Sequence, residues 1–300
     1  FSNSLLLSRI EELNLSLENK VEERTFQLQE ANNKLRELDR LKSNFFANIS
    51  HEIRTPLTLI LAPVESVLQG DYEDTPDRGF FENLQRNAII LLKLINDLLD
   101  FSKIEAGQMK MQIRELDIVK FIRDYSQSFS SAAESKGVSM SFEYPGRAVP
   151  VFIDAGKMDK IVMNLFSNSL KFTDKGGFIK VSVRDDENSC YIQFEDSGIG
   201  IPPDKIESVF DRFSQVDAGS TRKYEGTGIG LALVKEFAEL HGGAIDAESR
   251  FINDSPENHG TLFTVSVPKG DGHLRNRENV SFIESSDIEV SAGFYSSFNT

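Results

Sequence analysis

The run FANISHEIRTPL, residues 46–57, sets an imidazole, a carboxylate and a hydroxyl within about one helical turn. On a helix, positions four apart share a face, so His51 and Thr55 point the same way while Glu52 flanks the ring from the next position. That is equipment for moving a group on and off His51. Pro56 lacks a backbone N–H and is expected to bend the helix just past the trio. The His-Glu pair also begins the zinc-protease pattern H-E-x-x-H, but the fifth position is Thr55, so the second ligand is missing. Alone, a helical histidine is an ordinary surface residue. What gives His51 weight is a series of nucleotide-type boxes downstream.

Residues 159–173 read DKIVMNLFSNSLKFT, which places Asn164, Asn168 and Lys171 on one helical face, with Ile161, Val162, Leu165 and Phe166 on the other. Asparagine oxygens can complete the shell of a magnesium ion whose other ligands are waters and triphosphate oxygens, and Lys171 can meet phosphate as a point charge. Without context this is a solvated stripe. Residues 195–202, EDSGIGIP, form a strand end, an acid and glycines that allow close backbone approach. A carboxylate at Asp196 can accept a hydrogen bond from the exocyclic amine of adenine, where guanine offers a carbonyl instead. Residues 210–213, FDRF, open a polar, breaker-rich stretch suited to a mobile lid, with Arg212, Arg222 and Lys223 as cations for a γ-phosphate. Spacing does not decide which of them reaches it. In GTGIGL, residues 226–231, glycines lead directly into a helix, so free N–H groups and the helix dipole face the phosphates.

In this order and spacing, from about residue 40 to 268, the five boxes match the acceptor, N, first glycine, F and second glycine boxes of one family. The chain resembles the cytoplasmic catalytic core of a sensor histidine kinase of two-component systems, of the kind often continued as a hybrid with a receiver domain. The resemblance implies ATP bound with Mg2+, Asn168 as the metal ligand, and contacts from Asn164, Lys171, Phe172, Asp196, Gly198, Gly200, Arg212, Arg222, Lys223, Gly226, Gly228 and Gly230. It further implies autophosphorylation of His51, with Glu52 orienting or deprotonating the ring, then transfer to an aspartate of a response-regulator receiver domain. Thr55 is implied to position water for a reverse, phosphatase reaction. Ser169 and Glu225 stand where alanine and glycine are common in the family, and Ser197 where threonine is frequent. Two rivals stay open: a conformational ATPase or clamp with the same nucleotide site, and a degenerate kinase acting as a dimeric scaffold. Acid-labile, base-stable label on the protein separates the kinase from the clamp, and failure to bind ATP would favour the scaffold.

The elements that must position these boxes are legible in outline. From Leu6 to Leu38, aliphatics at Leu6, Ile10, Leu13 and Leu17, then Val21, Leu28, Leu35 and Leu38, keep coiled-coil spacings. The register shifts by four near Arg24 and Ala31, a stutter that reads equally as a signalling joint or an imperfection. The helix should run to about Gln69. Gly70 and residues 71–77 supply turn chemistry, Pro76 opens the return helix, and Leu84, Leu91, Leu98 with Ala88, Leu94, Ile95 and Phe101 carry it to Gly107. Two helices cannot bury so wide a stripe, so two hairpins should pair as a homodimeric four-helix bundle.

After Gly107, strands are expected at 110–114, 138–144, 151–154, 178–184, 190–195, 244–248 and 261–268, and helices at 118–134, 157–172 and 228–241. That order predicts an α/β sandwich, a mixed sheet with helices on one face, and the resemblance implies that it is of the type shared by gyrase, heat-shock chaperone and mismatch-repair ATPases. The expected division is a coiled-coil signalling helix over 1–40, a dimerisation and phosphotransfer hairpin over 41–107, a catalytic ATP-binding domain over 108–270 and a polar linker or tail over 271–300.

The 300 residues carry 33 basic and 47 acidic side chains, a net charge of -14, which argues against nucleic acid as a partner. No apolar run approaches the ~20 residues of a membrane span, so direct membrane contact is not expected and a cytoplasmic location is. The single cysteine, Cys190, excludes an internal disulfide and reads as a small buried residue. Because the chain starts at Phe1, it reads as a fragment whose sensor and membrane segments lie upstream.

Overall fold

The computed structural model describes residues 2–70, 76–212, 228–255 and 257–283. It divides into two compact units, residues 1–50 and 51–300. One helix, α1 (Ser2–Gln69), carries the coiled-coil pattern. In the first unit Leu13, Leu17, Val21, Leu28 and Leu35 are all exposed, so a single chain leaves this seam uncovered. Among the described residues, no helix is long and apolar enough to cross a membrane.

In the second unit α1 runs on through Pro56 and Pro63 without ending, and Gly70 follows it with φ of 75°. Helix α2 (Arg78–Glu105) begins two residues after Pro76: Asp77 is the N-cap, its carboxylate accepting the Phe80 N–H at 2.8 Å. Its end is a Schellman turn. Gly107, at φ 64°, donates to the Ile104 carbonyl at 2.9 Å, and Gln108 donates to the Lys103 carbonyl at 2.8 Å. Leu94 and Phe101 are buried, whereas Phe81, Ile90, Leu92, Ile95 and Leu99 remain exposed.

The α/β layer pair then follows. Strands β2 (Ser139–Glu143), β4 (Phe178–Asp185), β5 (Ser189–Asp196), β7 (Gly260–Pro268) and β6 (Ala244–Arg250) form one sheet in that spatial order. The β2–β4 pair is parallel and the others antiparallel. Helices α3 (Ile118–Lys136), α4 (Ala155–Phe172) and α5 (Gly230–Leu240) pack on it. Alternation in β5 sends Cys190, Ile192, Phe194 and Asp196 inward, onto the Met158, Ile161, Val162, Leu165 and Phe166 face of α4. Phe166 stacks on Phe129 at 4.6 Å and meets Phe194 edge-on at 5.0 Å. Cys190 is a free, buried thiol, pushed up to about 12 by burial, which suits packing and not chemistry.

A second sheet, β3–β1–β8, joins β1 (Met111–Asp117) antiparallel to β3 (Pro150–Ile153) and parallel to β8 (Val280–Phe282). Asp154 knots this sheet to the helices. One carboxylate oxygen caps α4 at Lys157 N, 3.1 Å, while the other accepts Gln112 N at 2.8 Å. Its own N–H is accepted by His241 Nε2 at 3.1 Å. His241 is fully buried and burial holds its pKa below the usual value, so the neutral ring donates from Nδ1 to the Phe237 carbonyl.

The described residues after Gly270 correct the linker expectation. Leu274 is fully buried against Met111 and Ile113, with Phe152, Leu240 and Val280 around them. Arg277 donates to the Leu240 carbonyl at 2.9 Å at the C-terminus of α5. The Asn279 carbonyl accepts Met111 N, and its side-chain amide donates to the Gly107 carbonyl, both at 2.8 Å. This strap therefore fastens the joint between α2 and β1. Leu274→Ala should cost roughly 2–5 kcal/mol, as for a fully buried leucine. Urea unfolding checks this, and a change below about 0.5 kcal/mol, the size of an ordinary surface effect, would mean the strap is not part of the folded core.

Candidate active site: nucleotide pocket and helical acceptor

The N-box residues lie where the spacing puts them. The apolar side of α4 is buried, and Asn164, Asn168, Lys171 and Phe172 share the half-buried side. Asn164 donates its amide to the Lys160 carbonyl at 2.8 Å, which leaves Oδ1 turned outward. That oxygen would be 2.8 Å from any Cβ on Gly230, the first residue of α5. The N box and the end of the second glycine box are therefore in contact across 66 positions of sequence. Lys171 Nζ sits 5.1 Å from the Phe172 ring centroid.

Asp196 ends β5 opposite Thr261. It is buried, with Oδ1 accepting Gly198 N at 2.9 Å and Oδ2 accepting the Ser169 hydroxyl at 3.1 Å. Burial pushes its carboxyl up to about 6, against the downward pull of the Gly198 N–H, the Ser169 hydroxyl and the Thr261 N–H. The glycines around it are obligatory for room. A Cβ on Gly198 would lie 2.7 Å from the Phe172 carbonyl, and one on Gly200, at φ 71°, would overlap the Arg250 carbonyl. Ser197 accepts Phe178 N at 2.7 Å, which closes the strand end.

Gly228, at φ 68°, turns the chain into α5 at Gly230. Arg222, Lys223 and Gly226 lie outside the described residues. On α1, His51 is exposed and Glu52 half-buried. The Thr55 hydroxyl donates to the His51 carbonyl at 3.2 Å, one turn back on the same face.

This geometry gathers closely approached glycines, a buried carboxylate and the Asn164 amide at one end of the sheet, in a chain whose α1 exposes a histidine. Residues 41–107 match the His Kinase A (phospho-acceptor) domain. Residues 153–271 match the Histidine kinase-, DNA gyrase B-, and HSP90-like ATPase. The chain belongs to the sensor histidine kinases. Among relatives, it is 37% identical over 276 residues to Hybrid signal transduction histidine kinase D of Dictyostelium discoideum, covering 88% of this chain and 18% of that protein. It is 38% identical over 244 residues to Sensor histidine kinase TmoS of Ectopseudomonas mendocina, covering 81% of this chain and 24% of that one. This chain thus spans about a fifth to a quarter of the length of these relatives. The solved complex of histidine kinase ThkA with response regulator protein TrrA shares its fold at TM-score 0.53 and 21% identity, covering 78% of this chain and 64% of that one.

Not every expected residue of this kinase core points at the pocket. Arg212 turns to α5 and α2 instead, donating to Glu236 at 2.6 Å and Glu105 at 3.1 Å, with its guanidinium 5.3 Å from the Phe101 ring centroid. Nearby, Lys160 of α4 pairs with Asp100 of α2, and burial holds the Asp97 carboxyl above its usual range.

Residues the sequence reading passed over also line the kinase pocket. Gly260 backs Asp196, since a Cβ there would overlap the Asp196 carbonyl. His259 Nδ1 donates to the Gly198 carbonyl at 2.5 Å. Both become visible only once β7 is paired with β5. Ser169 had a signal of its own, as a departure from the family's alanine.

Proposed function

We propose that this core binds Mg-ATP between α4, the first glycine box and α5, and transfers its γ-phosphoryl group to His51. The observation that carries the reading is the convergence of Asn164, Asp196 and Gly230 from three distant segments in a chain whose α1 exposes His51. Asp196 accepts a hydrogen bond from the adenine amine, while the glycine backbones and the α5 N-terminus face the phosphates. Asn168, with Asn164 beside it, supplies the hard amide oxygens that suit magnesium, which neutralises phosphate charge when bound. Lys171 adds a cation beside them, and Arg222 and Lys223 are further candidate cations for the γ-phosphate.

In the transfer, a ring nitrogen of His51 forms the new P–N bond as the bond from the γ-phosphorus to the bridging oxygen breaks. ADP leaves, and the ring proton passes to Glu52 or to water. Positioning and charge neutralisation supply most of the acceleration in such steps. Arg212, held by Glu105 and Glu236, reaches the phosphates only if those pairs open.

The phosphoryl group then moves to an aspartate on a receiver domain, a partner class seen with ThkA, with Thr55 placing water for the reverse reaction. The exposed aliphatic seams of α1 and α2 favour a homodimer with a four-helix bundle. The functional division is a signalling helix over 1–40, a phosphotransfer hairpin over 41–107 and a catalytic domain that includes the strap. Kinship to hybrid kinases supports a receiver in the same polypeptide, on the cytoplasmic side.

The test is incubation with magnesium and γ-labelled ATP, with the labelled protein then held in acid and in base. Label lost in acid and kept in base is expected. ATP hydrolysis without protein label would make this a clamp-like ATPase, and failure of both would make it a scaffold.

A further inference from the structure

We infer that Ser169 is a positioning residue for adenine recognition: its hydroxyl fixes the orientation of the Asp196 carboxylate that reads the purine amine. This rests on the reading of Asp196 given above. Four other helical serines keep their hydroxyl proton within their own helix. Ser50, Ser126, Ser130 and Ser135 each donate to the carbonyl four residues back in their own helix, at 2.6–2.9 Å. Ser169 does not. Its proton goes across the core to Asp196 Oδ2 at 3.1 Å, 27 positions on in sequence.

The surroundings make that bond consequential. Ser169 and Asp196 are 1% and 5% exposed, so water does not readily replace the hydroxyl. A hydroxyl has one proton to give, and here it fixes one end of the carboxylate while Gly198 N fixes the other. With both oxygens held, the carboxylate plane is set by the protein before nucleotide arrives. The remaining lone pairs are then aimed in advance at a donor, which lowers the ordering cost of binding. An alanine at 169 leaves Oδ2 without this tether, and the carboxylate gains freedom about its last torsion. The ligand feature being read is an amine on a purine ring, so the consequence is discrimination between purines with and without that amine.

The experiment compares ATP with purine riboside triphosphate, which lacks the 6-amino group, in wild type, Ser169→Ala, Asp196→Asn and the double variant. Ser169→Ala should weaken ATP binding roughly 3- to 10-fold, the worth of one hydrogen bond, and leave the amine-free nucleotide within about twofold. KM for ATP should rise by the same factor, with kcat at saturation unchanged. In the Asp196→Asn background, adding Ser169→Ala should change ATP affinity by less than about twofold. An equal loss for both nucleotides, or no change for either, overturns the role of Ser169 even if Asp196→Asn weakens ATP alone. ATP affinity unaffected by Asp196→Asn overturns the Asp196 reading itself, and the inference with it.

Discussion

Replacing His51 with glutamine should remove protein-bound label from γ-labelled ATP, to at least about 1,000-fold below wild type, the scale expected when a nucleophile is deleted. ATP affinity should stay within about twofold. Glutamine is a good helix former and carries no ring nitrogen able to form the P–N bond. The Thr55 hydroxyl donates to the His51 carbonyl, a backbone acceptor that survives the change. The side chain is exposed, and substitutions at such positions usually change stability by less than about 0.5 kcal/mol. Intact nucleotide binding with lost label therefore isolates the acceptor role from the fold. Continued label would assign the phosphoryl group to another residue.

Asp196→Asn should act on the other half of the reaction, weakening ATP roughly 10- to 150-fold, the range for losing a hydrogen bond to a charged group. The asparagine amide oxygen can still take the Gly198 N–H, but an N–H2 then replaces the acceptor that now meets Ser169. A donor would face the adenine amine, itself a donor. The pH dependence follows from burial, which pushes the wild-type carboxyl up to about 6. Adenine needs the ionised form, so wild-type affinity should be full above that pH and decline up to about tenfold per unit below it. ATP has its own titration, and Asp196→Asn, measured in parallel, subtracts it; the difference between the two proteins should vanish toward pH 4.

Stability has the opposite sign. The folded state holds the Asp196 proton more tightly than the unfolded chain, whose carboxyl titrates near 3.8. Its contribution to stability is thus greatest below pH 3.8 and falls, by roughly 3 kcal/mol, as pH rises to about 6. At pH 7.5 the asparagine variant should melt no lower than wild type while binding ATP far more weakly. A lower melting temperature together with unchanged ATP affinity would make Asp196 a structural group.

How far the sequence foretold this arrangement depended on whether a feature was local. The strands flanking the pocket alternate or carry β-branched runs, so β4, β5 and β7 were legible, and so were the apolar face of α4 and the glycines before α5. Strand β8 was not. Its three residues sit in a largely polar stretch, and it exists because a parallel partner, β1, lies 169 positions away. Leu274 stands alone among polar residues, and Val280, Phe282 and Ile283 are too few to set a period. Arg212 was read as a lid cation because it stands in a charged, breaker-rich stretch, yet composition says nothing of Glu105 or Glu236, brought near by α2 and α5. Asp77 was a turn residue in sequence and became the N-cap because its carboxylate faces Phe80 N. The Ser169–Asp196 bond joins two boxes recognised separately, and only the packing of α4 on β5 brings them together.

The most direct measurement is mapping the phosphoryl group by mass spectrometry of wild-type protein labelled with Mg-ATP and digested at alkaline pH, where a phosphoramidate survives. The expected result is a single phosphorylated peptide containing residues 46–57, with the modification on the His51 ring. A phosphoryl group on another residue, or turnover of ATP with no phosphorylated peptide, would contradict phosphoryl transfer to His51.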